Sequence, residues 1–476
     1  MSRSLKRILF TIGGAVGLLI LVALAVVLLV DVNRYKPRLD AAASNALGMD
    51  VRLGGRLGVN FFPGFHVTME DGRILSEHGV VVASAKRASL WIDLFPLLRK
   101  EFRLRRIELT QPRLYIERDP EGGFNVERLK KAAALLGAVD GASVSLSDGT
   151  LLYADRRSGE GIEATGFNLN VSRMRLAGGR SPELLKRLSL KAEIACGEIR
   201  TKDLSVSALK VLVDGKDGVI EFKPVTMRIF GGQAAGSLRA DVSGPVPSFQ
   251  ISCSLPRFRI EEFLKTLSPK KAAEGAMDFS ASLSMQGKSG SQLVQTAAGE
   301  ISLRGNNLTL VGNDLDRVLS RFESSQGFNL VDVGAVFFAG PLGVAVTKGY
   351  NFASLFRGSG GKSSIGTLVS DWRVERGVAQ AKDVAMATTK NRIALQGGLD
   401  FVNERFADVT VAVIDAGGCA RVRQAIRGSF GKPVVEKPRV LTSLAGPVLK
   451  LYRQTRGIFP AKPCEVFYSG SVPPPR

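Results

Sequence analysis

The chain has 476 residues and a formal net charge of +21, from 65 basic and 44 acidic side chains. The basic excess is spread along the chain rather than gathered into one run. That argues against a nucleic-acid binder and leaves a solvated basic surface or one facing anionic lipid headgroups. Two histidines, His66 and His78, leave little room for His-based catalysis or His-rich metal sites, and four cysteines without a C-x-x-C give zinc and thioredoxin-type readings no support.

In chain order, the first element is Ile8 to Val30, 23 residues without a charge. At about 1.5 Å per residue it spans roughly 34 Å, enough for the ~30 Å hydrocarbon core of a bilayer. Arg3, Lys6 and Arg7 precede it, and Asp31, Arg34, Lys36 and Arg38 follow. A cleavable signal peptide is the rival reading, with Ala23-Leu24-Ala25 as a small-x-small site, but the apolar run continues past that site and exceeds an h-region. The expectation is a cytoplasmic tail at 1–7, a retained anchor at 8–30 and an exported remainder.

Tyr35 to Leu47 reads as a helix, with Pro37 in its first turn and Gly48 to end it. Alternation then takes over. Val51 and Leu53, then Val67 and Met69, alternate with polar residues, punctuated by Gly54-Gly55 and Pro63-Gly64. The same pattern places Val225, Met227 and Ile229 on one face of a strand, a turn at Gly231-Gly232, and Gly236, Leu238, Ala240 and Val242 on one face of the return strand. Ile301 and Leu303, then Leu308 and Leu310, flank an expected turn at Gly305-Asn306-Asn307. Ile393 and Leu395, then Leu399 and Phe401, flank another at Gly397-Gly398, and Val409, Val411 and Val413 alternate in a further strand. One apolar and one polar face describe an antiparallel meander. The candidate floor of a groove is Val225, Met227, Ile229, Leu238, Val242, Ile301, Leu303, Leu308, Leu310, Ile393, Leu395, Leu399, Phe401, Val409, Val411 and Val413.

Expected helices are few and short: Asn125 to Ala138, one opening at Ser181-Pro182-Glu183, Arg259 to Leu267, Asn313 to Ser324, Cys419 to Arg427 and Ser443 to Gln454. Val331 to Val346 is the most apolar stretch after the first and too short to span a bilayer; it reads as buried strand and turn or as a groove-floor or membrane-contacting segment. The strands admit two architectures, two closed β domains or one elongated, curled sheet with an apolar trough. No nucleophile elbow or H-E-x-x-H occurs. Gly358-Ser359-Gly360-Gly361-Lys362-Ser363 fails the phosphate-loop pattern because Phe356 stands where glycine is required. Glu261-Glu262 is expected on a solvent-facing helix. The reading is therefore non-enzymatic, with no catalytic residues, cofactor or metal.

The residues of both ends resemble the AsmA-like family. The resemblance is carried by DVNRYKPRLDAAASNALGMDVRLGGRLGVNFFPGFHVTMEDGRI, by ASLWIDLFPLL and by TQPRLYIERD with GGFNVE. Toward the other end it is carried by VGAVFFAGPLGVAVTKGYNFASL, DAGGCARVRQAIRGSFGKPVVEKP and PCEVFYSGSVPPP. It divides the chain into an N-terminal AsmA-like β region at 31–150, a middle β-meander at 151–300 and a C-terminal AsmA-like region at 301–476. The resemblance implies a single-pass inner-membrane protein whose bulk lies in the periplasm. Its fold would be mainly β, a long curved antiparallel sheet forming a taco-like groove with a few short helices. The implied partners are phospholipid acyl chains, the inner membrane and a further envelope protein at the C-terminal end. An envelope scaffold or outer-membrane protein assembly factor without a lipid conduit is the alternative, and a secreted hydrolase a weaker third. Both Cys419 and Cys464 fall in pieces that carry the resemblance, and export favours oxidation, so these two are expected to bridge. Cys196 and Cys253 lie in strand-like stretches and read as core residues.

Overall fold

The computed structural model describes residues 32–76, 79–93, 96, 99, 103–126, 141–176, 186, 188–266, 273–312, 314–322, 361–437, 439–440 and 464–475. The apolar segment 8–30, His78, the apolar stretch 331–346 and the expected helices at 125–138, from 181 and at 443–454 lie wholly or almost wholly outside them. Among the described residues no helix is long and apolar enough to cross a membrane. The chain divides into two compact units, Met1–Lys202 with Leu212–Gly218, and Asp203–Val211 with Val219–Arg476. Both are mainly β.

In the first unit a short 3-10 turn, Val32–Tyr35, leads into α1 (Lys36–Leu47), which Gly48 ends at a φ of +72°. This left-handed position is the helix C-cap that glycine takes without strain. The stretch then completes the edge of a sheet. Asn33, Asp40 and Ser44 accept hydrogen bonds from the amides of Leu57 (3.0 Å), Leu53 (3.2 Å) and Val51 (2.8 Å). Strands β1 (Asp50–Leu53) and β2 (Leu57–Asn60) both pair with β3 (His66–Leu75), so these bonds occupy edge donors that would otherwise recruit another chain. β4 (Val81–Ile92), β5 (Leu104–Arg118), β6 (Ser143–Asp155), β7 (Glu160–Leu176) and β8 (Leu188–Arg200) follow in sequence. Each pairs with the next antiparallel, except β5 and β6, which run parallel. This corrects the expected all-antiparallel meander. Residues 119–142 separate the two strands, ample for the crossover of a dozen or more residues that parallel pairing needs.

Strand β9 (Ser205–Lys216) is divided between the units. The second unit contains β10 (Val219–Ile229), β11 (Gly232–Asp241), β12 (Ser248–Arg259), β13 (Ala273–Glu274), β14 (Ala276–Gln286) and β15 (Ala298–Val311). It continues with β16 (Lys362–Glu375), β17 (Val378–Thr388), β18 (Arg392–Asp400), β19 (Arg405–Ile414), β20 (Ala420–Ser429), β21 (Lys432–Val435) and β22 (Arg439–Val440). Neighbours from β10 to β20 pair antiparallel, with β14 following β12 and the short β13, β21 and β22 added alongside β15 and β20. Among the described residues three short helices accompany them: α2 (Ile260–Lys265), α3 (Gly290–Thr296) and α4 (Leu315–Phe322). The expected helices at 259–267 and 313–324 are thus present in shortened form, and α3 is additional.

Several local expectations are corrected. The expected helix at 419–427 is not formed: Cys419 makes an isolated bridge and 420–427 make up most of β20. Gly305-Asn306-Asn307 and Gly397-Gly398 are not turns: they lie inside continuous β15 and β18, where Asn307 (φ +53°) and Gly397 (φ +104°) are left-handed and Gly397 marks a bulge against β19. The turn after β10 is Phe230-Gly231, both at positive φ, and Gly232 already opens β11. Glu261 does not face solvent; its carboxylate accepts from the amide of Gly275 (3.2 Å) and from Arg259 (2.8 Å).

Candidate functional site

Registered partners on neighbouring strands share a face, so the pairings turn alternation into surface rows. In the first unit one row runs Leu57, Met69, Ala88, Leu109, Leu146, Leu169, Ile194. The row two residues along each strand runs Val59, Val67, Leu90, Ile107, Val144, Val171, Ala192. Between them the opposite face carries Gly58, Thr68, Ser89, Glu108, Ser145, Asn170 and Glu193. The apolar stripe therefore crosses β2 to β8 without a polar interruption. Six inter-strand spacings of about 4.8 Å make it roughly 29 Å long. That is about twice the ~15 Å depth of one leaflet's hydrocarbon.

Of the stripe residues only Leu57 is buried; all the others are half-buried. Flanking side chains in the same sheet cover one part of each, and among the described residues no second layer removes the rest from water. A further registered row, Val51, Ile74, Ala83, Leu114, Leu151, Ala164 and Ile199, crosses the unit nearer the other strand ends. Between the two sets, Asp71, Gln111, Asp148 and Gly166 all have positive φ. Side chains stabilise this line: the Gln111 amide donates to Asp148 (2.9 Å), and Asn168 accepts from the Asp148 amide (3.0 Å) while donating to the carbonyl of Gly166 (2.9 Å). Left-handed residues inside strands bend them and re-aim the side chains that follow.

The second unit treats its apolar face differently. Leu303, Leu308, Leu310, Ile393, Leu395, Leu399, Val409, Val411 and Val413 are all buried in one cluster with Trp372, Met386 and Ile426. Ile260, Phe263 and Leu264 of α2 and Leu315 and Leu319 of α4 join that cluster and cover it. Ile229, Ile301 and Phe401 pack on its margin. Val225, Met227, Leu238 and Val242 are half-buried. The sixteen residues proposed from sequence as groove floor thus separate into a closed core and a half-buried margin. The uncovered stripe of the first unit had been signalled only by Val67 and Met69.

On the reverse face of β16–β19, Val369, Ala385, Ala387, Ala394, Ala412 and Ile414 receive Tyr468 and Val472 from the segment 464–475. Cys419 and Cys464 are bonded to each other, tying this strap to β20. It is strand-like only at an isolated bridge, Cys419 to Val466. Asp383 anchors it, accepting from Tyr468 Oη (2.5 Å), Ser471 N (2.9 Å) and Ser471 Oγ (2.6 Å). Burial raises the Asp383 pKa, but the bonds from Ser471 and Tyr468 outweigh it, and the carboxyl sits below its usual range. Burial and the same carboxylate push the Tyr468 phenol up. The buried Arg392 guanidinium donates to the carbonyls of Val472 (3.0 Å), Asp415 (2.7 Å) and Ala416 (3.2 Å). Cys196 is buried and Cys253 half-buried; both thiols are free and burial raises their pKa, which disfavours the reactive thiolate.

Among the described residues no group of three or more His, Cys, Asp or Glu side chains is placed to hold a metal ion. The feature with a chemical use is the uncovered stripe. The family model described as "AsmA family" matches residues 1–147 and 182–339, well over half of the chain. No curated protein matches it.

Proposed function

The chain belongs to the AsmA family, and from that membership we propose that it is a membrane-anchored periplasmic protein that binds or conveys phospholipid along an apolar β surface and so supports envelope lipid homeostasis. The observation that carries this reading is the stripe on β2–β8, apolar along its whole length, polar behind and covered by no second layer among the described residues. A phospholipid leaving a bilayer exposes its tails, and at about 0.8 kcal/mol per methylene two tails cost well over 20 kcal/mol. An apolar face longer than a leaflet is deep offsets that cost without any bond being made or broken. Ile8 to Val30 would hold the unit at the membrane that supplies the lipid.

The closed core of the second unit favours one other reading, an envelope scaffold or assembly factor in which the same family fold serves protein contacts. Native mass spectrometry of the purified full-length chain separates the two. Phospholipid retained in stoichiometric amount supports conveyance; a well-folded chain that carries none, from membranes rich in phospholipid, favours the scaffold.

A further inference from the structure

The most exposed large hydrophobic side chain among the described residues is Phe62, at 90%. It stands at the tip of the loop between β2 and β3 beside Phe61, itself 40% exposed. Lone apolar residues on a surface are ordinary, but this pair is displayed on a fixed platform. The Gly64 amide donates to the Phe61 carbonyl (3.0 Å), the Ile92 amide donates to the Phe65 carbonyl (3.1 Å), and the Phe61 and Phe65 rings lie 5.3 Å apart. His66 stacks on Trp91 at 4.7 Å, and the Arg106 guanidinium lies 5.3 Å from the other ring's centre, over Trp91. The loop is thus held by its neighbours with the Phe62 ring left in solvent.

A cavity of about 500 Å³ opens beside this platform, lined by Trp91, Arg105, Arg106, Ser143, Ser145 and Asn170 among others. Two guanidinium groups against one carboxylate, Asp93, with a row of hydroxyl and amide groups suit a phosphate ester. Arg106 is shared with Glu108 (2.5 Å), whereas Arg105 has no ion pair among the described residues. The loop also follows the strand that holds Asn33, a described residue close in sequence to the apolar segment 8–30. Asn33, three residues past Val30, is bonded to the amide of Leu57. From Leu57 to Phe61 is four strand steps, about 13 Å.

We propose that the Phe61-Phe62 tip inserts into the interface of an anionic phospholipid bilayer while the Arg105–Arg106 cavity takes a lipid headgroup, making this corner of the first unit a second membrane contact besides the anchor. The inference rests on the anchored reading above, because Ile8 to Val30 is what brings the tip to a bilayer. Aromatic rings with adjacent cations are residue types favoured at that depth, the rings burying apolar surface and the cations drawn to the anionic headgroups. The occupant is the bilayer itself, since a soluble phosphate would explain the cavity but not an exposed phenylalanine next to it.

The test uses the full-length chain in vesicles of phosphatidylcholine with and without phosphatidylglycerol. The photoreactive residue p-benzoylphenylalanine replaces Phe62, Leu109 of the stripe or Ile162. Ile162 is 40% exposed and pairs with Tyr153, ten residues (roughly 33 Å) along β6 from Ser143. Lipid adducts at 62, absent at 162, enriched by phosphatidylglycerol and not formed when the chain is irradiated after detergent extraction, are expected. Charge reversal of Arg105 and Arg106 to Glu should lower the yield at 62 about tenfold or more in anionic vesicles. No adduct at 62 while 109 still labels would overturn this inference and leave the lipid-conveying reading standing. Adducts at 62 without any at 109 would support the tip and count against the stripe. Equal labelling at 62 and 162, or a yield at 62 indifferent to phosphatidylglycerol, would also overturn it.

Discussion

Placing carboxylates in the stripe should remove bound lipid while leaving the fold nearly intact. Leu109 and Leu146 are registered neighbours on β5 and β6 in the middle of the row, and both are half-buried. Full burial of a leucine is worth about 1.5–3 kcal/mol, so each half-buried side chain contributes about 1 kcal/mol to the fold. The double substitution Leu109→Asp with Leu146→Asp then costs roughly 2 kcal/mol, a shift of several degrees in a unit of this size. The effect on lipid is larger. Each carboxylate denies an apolar partner to about three methylenes lying over one strand spacing of ~4.8 Å. At about 0.8 kcal/mol each, that is roughly 2.4 kcal/mol per position. One position alone should lower retention more than tenfold, and the pair more than a hundredfold. The assay is phospholipid per chain by native mass spectrometry beside a thermal unfolding scan of the same preparation. A double variant that still unfolds cooperatively, within several degrees of the wild type, and carries undiminished lipid would refute the assignment of the stripe.

Four further outcomes are expected. Leu399→Ala, in the closed core where the side chain is fully buried, should destabilise the second unit by about 2–5 kcal/mol in denaturant unfolding, against less than about 1.5 kcal/mol for Leu90→Ala in the stripe. Cys419→Ser opens a 45-residue loop and should cost about 4 kcal/mol, with 464–475 becoming protease-sensitive; unchanged unfolding would show that the strap is held by its other contacts alone. Because the folded Asp383 pKa is depressed, its contribution is present above the unfolded value of about 3.9 and lost as pH falls below it. Thermal midpoints of the wild-type chain should therefore fall more steeply than those of Asp383→Asn between pH 5 and 2. Arg392→Lys should also loosen the strap, because a single ammonium cannot reach the Val472, Asp415 and Ala416 carbonyls that the planar guanidinium joins; faster hydrogen exchange at residues 466–472 would report it.

Strand grammar is legible wherever apolar and polar residues alternate, which is why the meander around Val225–Val242 and Ile393–Val413 reads correctly as β. The misreadings have local causes. Asn307 and Gly397 occupy left-handed positions within strands, and the residue types that tolerate that conformation also make turns. Gln424 is a polar residue only 4% exposed, its amide donating to the Glu436 carbonyl (2.9 Å). It breaks the alternation of β20, so the remaining Ala, Val and Ile mimic a helical spacing. The stripe was illegible for another reason. Its rows exist only once the register is known, and β5 and β6 meet in parallel across a long crossover that no local pattern announces. Nor does alternation reveal whether an apolar face is covered: Ile393 and Leu109 look alike in sequence, yet one is fully buried and the other only partly so. The Cys419–Cys464 bridge, by contrast, was readable from the family resemblance of the pieces that hold both cysteines.

The strap also sets a timetable for biogenesis. Arg392 bonds a carbonyl 80 residues downstream, and Asp383 binds a tyrosine 85 residues downstream. At roughly 5–20 residues per second of synthesis, that face of β16–β19 waits about 4–16 s for its cover. The residues left bare in that interval include Ala385, Ala387, Ala394 and Ala412. Alanine exposes little apolar surface, so the incomplete chain presents a weakly adhesive patch rather than a sticky one. Small side chains there leave room for Tyr468 and Val472 in the finished protein and guard against aggregation in the unfinished one.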